Sequence, residues 1–157
     1  MSQQEKIHQL LIEKRKTLAI AESCSGGHLA AKFTSIPDAS KYFLGSMITY
    51  SNALKEKVLS VSKETLRVSG AASRETADEM LIGLMKISDA DFGIAVTGIA
   101  GPSGGTKEKP IGTVFIAVGA KNKKPHIIEC HFEGDRASIM EASCQKALEE
   151  FSYLIQD

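Results

Sequence analysis

A strand, a tight glycine turn and a helix follow one another without a break between residues 17 and 34, and that order points to an α/β fold. Residues 17–21 are an apolar run short enough for a buried strand. Glu22-Ser23-Cys24-Ser25-Gly26-Gly27 comes next, and residues 28–34 read as helical. Glycines supply the backbone freedom such a turn needs, and the turn exposes backbone N–H groups.

The rest of the chain continues the alternation. Ile7, Leu10 and Leu11 fall at helical spacing and predict an amphipathic helix over 3–15. Residues 42–50, rich in aromatic and β-branched side chains, predict a strand, and 52–59 a charged helix. Ser62 and Ser73 stand where N-caps belong, with Glu64 and Glu75 close behind, although neither serine completes a capping box. After Ser73, the residues Ala77, Met80, Leu81, Leu84 and Ile87 mark one apolar face. Residues 91–97 predict a strand that runs into the glycine-rich stretch from Gly98 to Gly105, while 112–119 and 126–132 flank a polar, lysine-rich turn and suggest an antiparallel hairpin. Met140, Cys144, Ala147, Phe151 and Leu154 stripe a last helix over 137–154. Strands interleaved with helices predict one α/β domain over 1–157, a three-layer α/β/α arrangement whose late hairpin makes the sheet mixed.

Composition narrows the partners. With 157 residues the chain can bury a full core without disulfides or a structural metal. Nineteen basic residues balance nineteen acidic ones, so the basic excess that a nucleic-acid backbone attracts is missing. Cys24, Cys130 and Cys144 are scattered and odd in number, which fits neither a disulfide framework nor a CxxC metal site and suggests a reducing, cytoplasmic setting. His8, His28, His126 and His131 show no metal-ligand spacing, and no apolar stretch is long enough to span a membrane.

Several groups suit chemistry. Ser23, Cys24 and Ser25 lie ahead of a helix start, a natural place for an anion or a developing oxyanion, and Gly26 and Gly27 offer N–H groups there. A serine N-cap with a structural glycine turn explains the same residues. Thr97 and Gly98 lead into the glycine-rich stretch, which lacks the spacing of a P-loop and reads equally as a long hairpin loop. Tyr50 and Lys55 flank a strand-to-helix junction, and Arg136 can clamp a carboxylate or phosphate with its planar fork. Spacing alone selects no nucleophile.

Five blocks taken in order resemble the CinA C-terminal domain family: Ala21 to Gly27, Thr49-Tyr50-Ser51-Asn52, Val96 to Pro102, Lys109 to Val114, and Gly134-Asp135-Arg136. The resemblance covers roughly residues 5 to 155. Stand-alone members of that family are nicotinamide-nucleotide amidases, so it implies hydrolysis of the carboxamide of nicotinamide mononucleotide (NMN) to nicotinate mononucleotide and ammonia, without a cofactor. It also implies Ser40 as nucleophile, Lys55 as general base with Tyr50 beside them, and Ser23, Thr97 and Arg136 as substrate-binding positions. The expected partners are the small-molecule substrate and further copies of the chain in a homo-oligomer, with no nucleic acid and no membrane. A non-catalytic nucleotide-binding module is the alternative, since the domain also occurs fused to a second one.

Overall fold

Alternation along the strands decides the layering. In the computed structural model, which describes residues 1–157, five strands run β1 (Leu18–Glu22), β2 (Phe43–Ile48), β3 (Phe92–Gly98), β4 (Thr113–Ala120) and β5 (His126–His131). They form one sheet in the order β2-β1-β3-β4-β5. β1 is parallel to both β2 and β3, whereas β3, β4 and β5 are joined antiparallel. The sheet is therefore mixed, as the hairpin at its end requires.

Leu18, Ile20, Ile94, Val96, Val114, Ile116 and Val118 share one core. It is covered by Ile7 and Leu11 of α1 (Gln3–Lys14), Leu29 and Phe33 of α2 (His28–Thr34), and Ile139, Leu148 and Phe151 of α6 (Arg136–Gln156). The intervening positions, Ala19, Ala21, Ala95 and Ala117 with Phe115, face a second core built on Ala77, Met80, Leu81 and Leu84 of α5 (Arg74–Ser88). Small side chains there let α5 approach the sheet closely. Leu59, the last residue of α3 (Asn52–Leu59), joins this layer, and α4 (Lys63–Val68) follows it. Gly83 is where α3 meets α5, for a Cβ at that position would lie 1.8 Å from the Leu59 carbonyl oxygen.

The caps follow local chemistry. Ser51, Ser62 and Ser73 each accept a hydrogen bond from an amide in the first turn of the helix they precede. Asp135 does the same for α6, which begins one residue earlier than expected. Ser2 and Glu5 close a full capping box on α1.

Two expectations change. The strand expected over 42–50 is trimmed to Phe43–Ile48, because Tyr42 turns inward as a buried ring beside Phe33 and His8, and Tyr50 belongs to the corner before α3. Ile87 is half exposed, at 52%, one residue before the end of α5, and lies outside the core that Ala77, Met80, Leu81 and Leu84 form.

Candidate active site

Ligands of open α/β sheets bind at the carboxyl ends of the parallel strands, and there the chain gathers its polar residues. β1 ends at Glu22 and delivers Ser23, β2 ends at Ile48 and delivers Thr49 and Tyr50, and β3 ends at Gly98 and delivers the glycine-rich loop. Parallel pairing fixes this convergence: the Ser23 amide donates to the Val96 carbonyl at 2.9 Å, and the Thr49 amide to the Glu22 carbonyl at 2.9 Å.

Lys55 lies one turn into α3 with its side chain turned inward, only 1% exposed. Its Nζ donates to Ser23 Oγ at 2.9 Å and to the Thr49 carbonyl at 2.8 Å, with a longer contact of 3.4 Å to the Tyr50 carbonyl. No carboxylate pairs with it. Burial disfavours the ammonium form and pulls the Lys55 pKa down to about 8. When the amine is neutral, its two hydrogens can serve the two carbonyls, and its lone pair then meets the Ser23 hydroxyl. That is the geometry of a general base beside a nucleophile.

The structure does not bring Ser40 to Lys55. Ser40 is exposed in a 3-10 turn, Ala39–Lys41, ahead of β2, whereas Lys55 lies beyond the other end of that strand. Six residues of strand at a rise of about 3.3 Å put roughly 20 Å between them. The serine that Lys55 reaches is Ser23, expected only as a substrate contact. Cys24, next in sequence, is buried, and burial pushes its thiol up to about 12, so it is no thiolate at neutral pH.

Tyr50 and Arg136 meet at the mouth. Arg136 Nη2 donates to Tyr50 Oη at 2.8 Å and Nη1 to the Gly101 carbonyl at 2.7 Å, tying the start of α6 to the β2–α3 corner and to the glycine-rich loop. Both side chains are exposed and can be reached by a ligand. Thr97 is buried and spends its hydroxyl proton on the Ala71 carbonyl at 2.8 Å, which leaves its oxygen free only to accept. Gly98 has a packing role, since a Cβ there would sit 2.6 Å from the Thr113 carbonyl oxygen.

Gly26 and Gly27 do not supply free amides. The Gly26 amide donates to the Ser23 carbonyl at 3.1 Å and the Gly27 amide to Glu22 Oε1 at 3.1 Å. Donors without a partner in another residue are instead the amides of Cys24 and Ser25 beside the serine, and those of Ala100, Gly101, Ser103, Gly104 and Gly105 across from it. Two sets of N–H groups without a partner suit an oxyanion and a phosphate, although Cys24, Ser25 and Ala100 are themselves buried. Thr49 Oγ1 is the only buried side-chain polar atom with no hydrogen-bond partner, and it stands on the residue whose carbonyl holds Lys55. No cluster of three or more His, Cys, Asp or Glu is placed to hold a metal ion.

Sequence patterns missed Glu22, which is fully buried. A carboxylate ending an apolar strand, ahead of a helix whose cap position is glycine, is the signal that marks it. A cavity of about 410 Å³ lined by Leu81, Met85, Gly119 and Pro125 lies at the opposite end of the sheet and contains no nucleophile paired with a base.

Comparison with known proteins agrees with this architecture. The family model described as CinA C-terminal domain matches residues 1–155. A CinA-like protein of Endomicrobium trichonymphae is 48% identical over 141 residues, which is 90% of this chain and 33% of that protein. A CinA-like protein of Thermotoga neapolitana is 46% identical over 146 residues, 93% of this chain and 35% of that one. The chain thus spans about a third of the length of these relatives. Among solved structures, the competence damage-inducible protein A of Klebsiella pneumoniae superposes with a TM-score of 0.92 at 33% identity, covering 96% of this chain and 93% of that one. The competence/damage inducible protein of Agrobacterium tumefaciens gives 0.91 at 35% identity, over 100% and 98%. The chain belongs to the CinA C-terminal domain family.

Proposed function

We propose that this chain is an amidase that hydrolyses the carboxamide of NMN, releasing nicotinate mononucleotide and ammonia, with Ser23 as nucleophile and Lys55 as its base. The observation that carries the reading is the buried 2.9 Å hydrogen bond between Lys55 Nζ and Ser23 Oγ, with the lysine held near pKa 8 and no counter-ion beside it. Burying a lysine without a counter-ion costs stability, and such groups concentrate at functional sites. The substrate itself comes from the resemblance to stand-alone family members, and the setting we propose is the cytoplasm.

In the reaction neutral Lys55 takes the proton of Ser23 as Oγ attacks the carboxamide carbon. The oxyanion that forms is received by the open amides of Cys24 and Ser25. Protonated Lys55 then gives its proton to the amide nitrogen, the C–N bond breaks and ammonia leaves an acyl ester on Ser23. Water, deprotonated by Lys55, attacks the ester, and the acid departs as Ser23 recovers its proton. Arg136 and the amides of the glycine-rich loop hold the substrate phosphate, in keeping with the fork geometry of arginine. Release of ammonia from NMN by the purified chain is the test. No ammonia above the uncatalysed background removes the reading.

A further inference from the structure

The turn that carries Ser23 is wrapped around a carboxylate that the chemistry above does not use. Glu22 ends β1 between the two strands parallel to it, paired in register with Ile48 on one side and Val96 on the other, and it has no exposed surface. Its five partners are all uncharged: Oε1 accepts from Ser25 Oγ at 2.8 Å and from the amides of Gly27 and Leu29 at 3.1 and 3.0 Å, and Oε2 from the Ala30 amide at 3.2 Å and Ser46 Oγ at 2.8 Å. The usual cap of α2 is missing, because the cap position is Gly27, at φ 100° and with no side chain. Glu22 reaches forward from the strand and does that work, and the positive start of the helix offsets its buried charge.

Four of the five donors belong to the turn or to the first turn of α2, and Ser46 fixes the carboxylate from β2. In the same turn the amides of Cys24 and Ser25, next to the nucleophile, make no hydrogen bond to another residue, although both residues are buried. We infer that Glu22 is a positioning residue: its buried carboxylate holds the turn 23–27 so that Ser23 stays on Lys55 with the Cys24 and Ser25 amides unspent. The inference rests on the amidase reading of the Ser23 site and adds a residue that touches neither substrate nor base.

The substitution Glu22→Gln separates positioning from bulk. Glutamine keeps the shape but presents one oxygen and one NH2 group, and in either orientation the NH2 faces a backbone amide that can only donate, Ala30 on one side or Gly27 and Leu29 on the other. The turn must shift. A displacement near 1 Å at a reacting group costs about 10²-fold in rate, so E22Q is expected to lose about 10²-fold in kcat with KM changed less than about threefold. Reaction of Ser23 with a fluorophosphonate probe, which needs no NMN, is expected to slow in parallel.

Stability is controlled by Leu84→Ala, a cavity variant in the core on the other face of the sheet, brought to the same melting temperature as E22Q by choice of buffer. L84A is expected to keep parental kcat and labelling rate per folded molecule. Ser25→Ala and Ser46→Ala each remove one hydroxyl donor and stay informative if E22Q does not fold. Each is expected to lower both rates severalfold, S25A more than S46A because it lies in the turn. Parental kcat and labelling in E22Q, or in both serine variants, overturn the inference, as does an L84A loss equal to that of E22Q. A parent that neither hydrolyses NMN nor labels at Ser23 instead overturns the amidase reading on which the inference rests.

Discussion

The two ends of the sheet are built from similar residue types and put to different use. At the end where β3 begins, Asp91 accepts from the Thr17 amide and hydroxyl at 2.9 and 3.1 Å, Thr17 Oγ1 accepts from the Asp91 amide at 3.0 Å, and Lys121 meets Asp89 at 2.5 Å. Those groups are wholly or partly in contact with solvent and all have partners. At the other end Glu22, Ser23, Thr49, Lys55 and Thr97 are all buried, the lysine has no counter-ion, and a threonine hydroxyl has no partner at all. Ordinary folding pressure produces the first arrangement, since buried polar groups cost free energy unless satisfied. The second tolerates that cost, and the proposed chemistry accounts for it.

The largest expected effect falls on the lysine. Lys55→Met is expected to lower kcat for NMN by at least ~10³-fold, as loss of the base of an acting pair does. In the parent, kcat/KM should rise with pH along a limb centred near 8, the pKa to which burial lowers Lys55, because the neutral amine is the active form. A limb near the usual lysine value of about 10.4 breaks the contrast between the two ends. Stability carries the opposite sign. The unfolded lysine binds its proton up to a higher pH than the folded one, so burial costs most at neutral pH and the cost is relieved as pH rises from about 8 toward the ordinary value of 10.5. K55M should therefore gain stability over the parent at pH 7, by up to about 3 kcal/mol less the value of the hydrogen bonds it gives up, and that gain should shrink as pH rises. Chemical denaturation across this range reads it.

Arg136→Ala, at the mouth, is expected to raise KM for NMN by about 10- to 150-fold, the equivalent of ~1.5 to 3 kcal/mol for a charge-assisted hydrogen bond. It should also narrow the preference for NMN over the dephosphorylated riboside. An unchanged preference moves phosphate recognition to the amides of the glycine-rich loop. The smallest effect belongs to the far end of the sheet. Asp91→Ala leaves the Thr17 donors without their acceptor and should cost about 1 to 3 kcal/mol of stability, with kcat unchanged. A loss of kcat per folded molecule there removes the contrast.

How far the sequence foretells this differs by level. The strand–turn–helix at 17–34, the mixed sheet and the serine caps at 62 and 73 are legible because each rests on residues close together in the chain. Lys55, Tyr50 and Arg136 are identifiable as chemistry-bearing residues, but their partners are set by which ends of β1, β2 and β3 coincide. That is a property of parallel pairing between residues far apart in sequence, and it places Ser40 and Lys55 at opposite ends of one strand. Gly26 and Gly27 look like open donors until Glu22 is placed, because only the folded turn brings that carboxylate round to the start of α2.

Which serine oxygen Lys55 activates is read directly by ammonia release from NMN by Ser23→Ala and Ser40→Ala, measured side by side with the parent. Ser23→Ala is predicted to lose at least ~10³-fold in kcat while staying folded, as removal of a nucleophile from an acting pair does, and Ser40→Ala to keep parental activity. An active Ser23→Ala alongside an inactive Ser40→Ala contradicts Ser23 as the nucleophile.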